Sequence, residues 1–218
     1  MQRPLDGPSM PVLVLLAACS ALACASPGPA PAPPSGSDAH GPAADAAVLV
    51  DERFEVPRPI PALAQYEVLT DELSERLEQG GRWHLILDSQ SDAEAEVSGG
   101  AAVLRITRAG MHWYSVQLAY LPIRLRPHKT YRVTFQAVAD RPIVTTFDLA
   151  HVGAGWHSYT GRREIELEQV PKQYEVRFVT GSPDAEERAR FEFNFGDEGR
   201  AVVRIDDVRV IEEGRRGP

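Results

Sequence analysis

Between Met111 and Asp140 the sequence alternates with a period of two, and this limits the possible folds more than any other feature. Tyr114, Val116 and Leu118 alternate with Trp113, Ser115 and Gln117. After a polar turn at Arg126-Pro127-His128-Lys129, Tyr131, Val133, Phe135 and Ala137 alternate with Arg132, Thr134 and Gln136. A strand points successive side chains to opposite faces, so each half reads as a strand with one apolar face that must be buried. Proline fixes φ in the turn between them.

The rest of the chain supplies complementary faces. Val48 to Val56 reads as a first strand, followed by prolines at 57, 59 and 61. Trp83 to Leu87, Ala93 to Val97, Val103 to Thr107, Ile143 to His151, Arg163 to Glu168, Tyr174 to Phe178, Arg190 to Gly196 and Val202 to Ile211 are further short runs between polar or glycine-containing turns. One segment departs from this rhythm. From Ala62 to Gln79, apolar residues fall at Ala62, Tyr66, Leu69, Leu73 and Leu77, the spacing of one helical face, and Gly80-Gly81 ends the run. About ten strands without a βαβ rhythm predict an all-β sandwich with one helix inserted near the start of the domain.

Composition narrows the function classes. The net charge is −8 and the 23 Lys and Arg residues form no stripe, which argues against a nucleic-acid partner. Both cysteines, Cys19 and Cys24, precede the domain, so the domain has no disulfide or thiolate metal site. Pro11 to Ala18 is apolar but too short to span a bilayer, which needs about 20 residues. Leu16-Ala17-Ala18-Cys19 resembles the bacterial lipobox, in which the cysteine is lipidated and becomes the new N-terminus. Cys24 is the second candidate, and a secretory signal cleaved near Ala25 is the alternative. The expected organisation is a signal segment over 1–19, a Pro/Ala-rich tether over 20–47, a domain over 48–212 and a charged tail over 213–218. The expected location is the bacterial cell envelope, with the lipid as the sole membrane contact.

Five motifs in order, Trp113 to Leu118, Leu125 to Asp140, Trp156 to Tyr159, Phe191 to Gly196 and Ile205 to Val208, resemble carbohydrate-binding modules of the family 4, 9 and 22 type. The resemblance spans roughly Val48 to Glu212. It implies a galactose-binding-like β-sandwich jelly roll that binds soluble β-glucan or xylan chains in a cleft on one sheet. It also implies a structural calcium, with Glu55 and Asp206 or Asp207 as its ligands.

A sugar-binding cleft needs aromatic platforms beside fixed polar groups. Alternation places Trp113 and Gln117 opposite the core residues of their strand, and Glu192 and Asn194 opposite Phe191, Phe193 and Phe195. If the two strands share a sheet, these four converge on one solvent-facing surface. Trp156 and Tyr159, after a glycine-rich loop, complete the candidate ligand set; Trp83 is expected in the core. No nucleophile motif, phosphate loop or zinc-binding spacing occurs in the domain, so no catalytic residue is assigned. Glu192 and Asp148 are the conceivable acid pair of a glycosidase. The expected function is non-catalytic recognition of a polysaccharide or oligosaccharide. The alternative is an envelope module that binds a protein through the same fold.

Overall fold

Thirteen strands and one short 3₁₀ turn follow one another along residues 46–69, 82–153, 156–181 and 188–214, the parts of the chain that the computed structural model describes. They are β1 (Ala47–Glu52), β2 (Arg58–Pro59), β3 (Ala62–Ala64), the turn Gln65–Leu69, β4 (Arg82–Leu87), β5 (Asp92–Ser98) and β6 (Ala101–Arg108). Then come β7 (Val116–Arg124), β8 (Thr130–Ala139), β9 (Ile143–His151), β10 (Arg163–Leu167), β11 (Lys172–Val179), β12 (Arg188–Asn194) and β13 (Ala201–Glu213). The signal segment with Cys19 and Cys24, nearly all of the tether and the end of the tail lie outside the described residues. Among the described residues no helix is long and apolar enough to cross a membrane.

The strands form two sheets of a β-sandwich jelly roll. One has the order β11-β8-β13-β6-β5-β2, with β1 also paired to β13; the other has the order β10-β9-β12-β7-β4-β3. Period-two alternation explains the layers. Along β8 every second residue is buried: Tyr131, Val133, Phe135, Ala137 and Ala139. These meet Phe147 and Leu149 of β9 and Phe191 and Phe193 of β12 in the core between the sheets. Phe135 and Phe193 meet edge to face with centroids 4.8 Å apart, as do Phe191 and Phe193. Trp83 belongs to this core, 5.4 Å from Phe54 and 5.8 Å from Phe191.

The segment expected to be helical is different over its described part. Ala62–Ala64 is a strand that pairs in parallel with β4, and one 3₁₀ turn follows. The free edge of β4 supplies backbone partners to residues just after Pro61, whose own carbonyl accepts from Leu85 N–H at 2.9 Å. Ala62 and Tyr66, two members of the expected helical stripe, are exposed, Tyr66 at 73 %. Leu63 and Val68, which lie outside that stripe, seat the segment instead. They pack on Ile86, Ala119, Leu121 and Val152 across the outer face of the second sheet. Gly153 N–H donates to the Val68 carbonyl at 3.2 Å. Residues 62–69 are therefore a strap laid over that sheet; Leu73 and Leu77 lie outside the described residues.

Candidate functional site

The site begins with the outward residues of three neighbouring strands. With Phe191 and Phe193 in the core, Arg190, Glu192 and Asn194 of β12 point to the opposite face of their sheet. Gln117 of β7 stands directly across from Asn194. On the other side of β12, Thr146 faces Asn194 and Asp148 faces Glu192. The structure thus brings Gln117, Glu192 and Asn194 onto one face of one sheet. The expectation that this face meets solvent is corrected: Gln117, Asn194 and Glu192 are 1 %, 2 % and 0 % exposed. The strap crosses this face, and its apolar seat on Ala119 and Leu121 adjoins the polar row.

Burial forces these groups to bond one another. Gln117 Nε2 donates to Asn194 Oδ1 at 2.5 Å. Asn194 Nδ2 donates at 3.4 Å to Glu192 Oε1, and Arg190 Nε is ion-paired with Glu192 Oε2. Ser158 Oγ and Thr160 Oγ1 donate to Asp148 Oδ1 at 2.6 and 2.7 Å. Burial raises the Asp148 carboxyl above the usual carboxylate range despite these donors. Burial also raises Glu192; Arg190 pulls the other way and the Asp148 charge adds to the rise. Four buried atoms of this face have no hydrogen-bond partner among the described residues: Gln117 Oε1, Arg190 Nη1, Thr146 Oγ1 and Asp148 Oδ2. An unpaired buried polar atom costs roughly 1–3 kcal/mol.

Beside the strap a groove of ≈ 860 Å³ opens over this row, with Gln117 and Arg190 in its lining. The strap forms one wall through Leu63 and Tyr66, and the residues just before β7 form the other. That second wall corrects another expectation. Residues 111–115 are a turn, and β7 starts only at Val116, so Trp113 leaves the strand alternation and Tyr114 leaves the core. Both aromatics line the groove, with Tyr114 stacked on His112 at 5.0 Å. Asp88 latches the turn: its Oδ2 accepts Ser115 Oγ at 2.5 Å, and its amide donates to the Ser115 carbonyl at 3.0 Å. Gly196 N–H donates to the Trp113 carbonyl at 3.0 Å. Trp156 closes the groove at the side, its ring 6.3 Å from Trp113, while the Arg162 guanidinium covers the Trp113 ring at 4.2 Å.

Of the expected ligand residues, Trp113, Gln117 and Trp156 line this groove. Glu192 and Asn194 stand behind Arg190 and Gln117 and hold them in place. Tyr159 is elsewhere, packed against the sandwich core with its amide on the Leu149 carbonyl. The sequence reading missed Arg190, Tyr114 and Tyr66. Arg190 carried a signal, since the alternation that sends Glu192 outward sends it outward too.

Glu55, Asp206 and Asp207 are the calcium ligands suggested by the resemblance. Among the described residues no three His, Cys, Asp or Glu side chains are grouped to hold a metal, and Glu55, Asp206 and Asp207 form no such set. The two aspartates have another explanation. β13 pairs with β6 up to Ile205 and with β1 from Val208, and a bulge between Asp206 and Arg209 allows the change of partner. Asp207 takes a left-handed φ of 49°, and its amide donates to Asp206 Oδ1 at 2.7 Å. Aspartate tolerates that conformation better than most residues.

No family model and no curated protein matches the sequence. Solved structures do. A structure described as "CBM4 structure and function" aligns with a TM-score of 0.60 at 20 % identity, over 76 % of this chain and 99 % of that one. A proposed sugar-binding protein of Bacteroides thetaiotaomicron aligns at 0.54 and 13 % identity, over 77 % and 100 %. The second N-terminal cellulose-binding domain of Cellulomonas fimi β-1,4-glucanase C aligns at 0.50 and 17 % identity, over 63 % and 90 %. The chain therefore has the fold of carbohydrate-binding modules.

Proposed function

We propose that this chain is a non-catalytic glycan-binding protein of the bacterial envelope, anchored by lipid on Cys19. The observation that carries the binding reading is the groove itself: tryptophan and tyrosine walls over a floor that holds Gln117 and Arg190. A sugar ring offers an apolar face to aromatic walls and hydroxyls that both donate and accept. The same floor argues against catalysis. Asp148 and Glu192, the conceivable acid pair, lie outside the groove's lining, behind Arg190 and Gln117.

Calorimetric titration of the full chain with β-1,4-gluco-oligosaccharides, xylo-oligosaccharides and peptidoglycan fragments tests this reading. Heat is expected from at least one of them, with no product released. Trp156→Ala is expected to weaken that binding by up to about tenfold, the loss of one aromatic platform. If none of these glycans binds, the reading is wrong. The anchor rests on Leu16-Ala17-Ala18-Cys19 and is tested separately: Cys19→Ser should move the protein from the membrane to the soluble fraction.

A further inference from the structure

We infer that Arg162 is a positioning residue of the groove: its guanidinium backs the Trp113 ring and holds the opposite face of that ring toward the ligand. The inference rests on the glycan-binding reading above. The guanidinium carbon lies 4.2 Å from the centre of the Trp113 ring, the distance of a cation seated on an aromatic face. A group on the groove side of that ring would itself line the groove. Trp113 lines it and Arg162 does not, so the cation sits on the far face. Arg162 is exposed, and among the described residues no carboxylate is ion-paired with it. The ring is the contact that orients it.

Both partners are held by ties to other parts of the fold. The Trp113 carbonyl accepts the Gly196 N–H at 3.0 Å, and its ring stands perpendicular to Tyr114 at 5.2 Å. Arg162 follows a stretch stitched to β9. Ser158 Oγ and Thr160 Oγ1 donate to Asp148 Oδ1 at 2.6 and 2.7 Å, and Tyr159 N–H donates to the Leu149 carbonyl at 2.7 Å. Gly161 N–H donates to Ser158 Oγ at 2.7 Å, and its left-handed φ of 64° turns the chain at the residue before Arg162. Stacking a sugar fixes the ring it stacks on, and a ring already fixed loses less entropy in the process. Arg162 supplies that immobilisation from behind, without touching the ligand. A cation–π contact at an exposed site is worth about two- to fivefold in an equilibrium constant.

The test is a double-mutant cycle on the full chain, titrated with β-1,4-gluco-oligosaccharides, xylo-oligosaccharides and peptidoglycan fragments. Arg162→Gln, which removes the charge, is expected to weaken binding about two- to fivefold, and Arg162→Lys, which keeps it, to lose less. In a Trp113→Ala background Arg162→Gln is expected to change nothing further, because the ring it acts through is gone. Without ligand, the Trp113 indole N–H is expected to show a lower NMR order parameter in Arg162→Gln than in the unsubstituted chain. Four results each overturn the inference and leave the glycan-binding reading standing. They are binding that is unchanged or tighter in Arg162→Gln, an equal loss in Arg162→Lys, a full loss that persists in the Trp113→Ala background, and an unchanged order parameter. Absence of heat from the unsubstituted chain with all three glycans overturns both.

Discussion

At the scale of single residues, the site depends on groups that never touch a ligand. Gly196 is the sharpest case. A Cβ there would lie 1.6 Å from the His112 carbonyl oxygen, backbone against backbone, so the turn that carries Trp113 and Tyr114 would have to move. Gly196→Ala is expected to cost on the order of 3 kcal/mol and to lower the melting temperature, measured by thermal unfolding, with loss of binding at temperatures where the variant stays folded. An unchanged melting temperature would refute the close approach. Asp148 gives a prediction about pH. Its folded-state pKa is raised, mainly by burial, so the native protein holds a proton that the unfolded chain releases at lower pH. The folded state therefore loses stability as pH rises from the ordinary carboxylate value through the raised one, and below that window the cost is absent. Asp148→Asn is expected to flatten this part of the stability profile and to be the more stable form at neutral pH. A denaturant-unfolding series across pH reads both, and parallel profiles for the two proteins would contradict the assignment.

At the scale of elements, the strap decides what the outer sheet face can do. Val68→Ala removes buried apolar volume from a small cluster that stands apart from the main core. It is expected to cost about 1–2 kcal/mol and to raise hydrogen exchange at Gly153, whose amide bonds the Val68 carbonyl, while β8 amides stay protected. The strap also marks where the sequence stops being readable. Alternation located the strands around Phe135, Phe191 and Phe193 because one face of each is buried and the other is not, and that contrast is written in residue type. It placed Gln117, Glu192 and Asn194 on one face for the same reason. It could not show that the face is covered, because the covering segment pairs with the edge of β4, a long-range contact that leaves no local period. Ala62 and Tyr66 mimic a helical stripe, whereas the residues that seat the segment are Leu63 and Val68. Trp113 was misplaced for a related reason. The alternation continues three residues beyond the true start of β7, into a turn held by Asp88 and Gly196 from distant parts of the chain.

At the scale of the whole molecule, stability rests on the packed interior between the two sheets. No disulfide can form after Cys24, and no group of three metal-ligating side chains occurs among the described residues. The order of the strands has a consequence of its own. β13, the last of the described strands in chain order, pairs with β1, β6 and β8. The first sheet thus lacks its middle until everything before β13 has been made. A ribosome-bound chain of this design cannot close that sheet until β13 has emerged, so its docking onto the second sheet waits for nearly the whole domain to be synthesised.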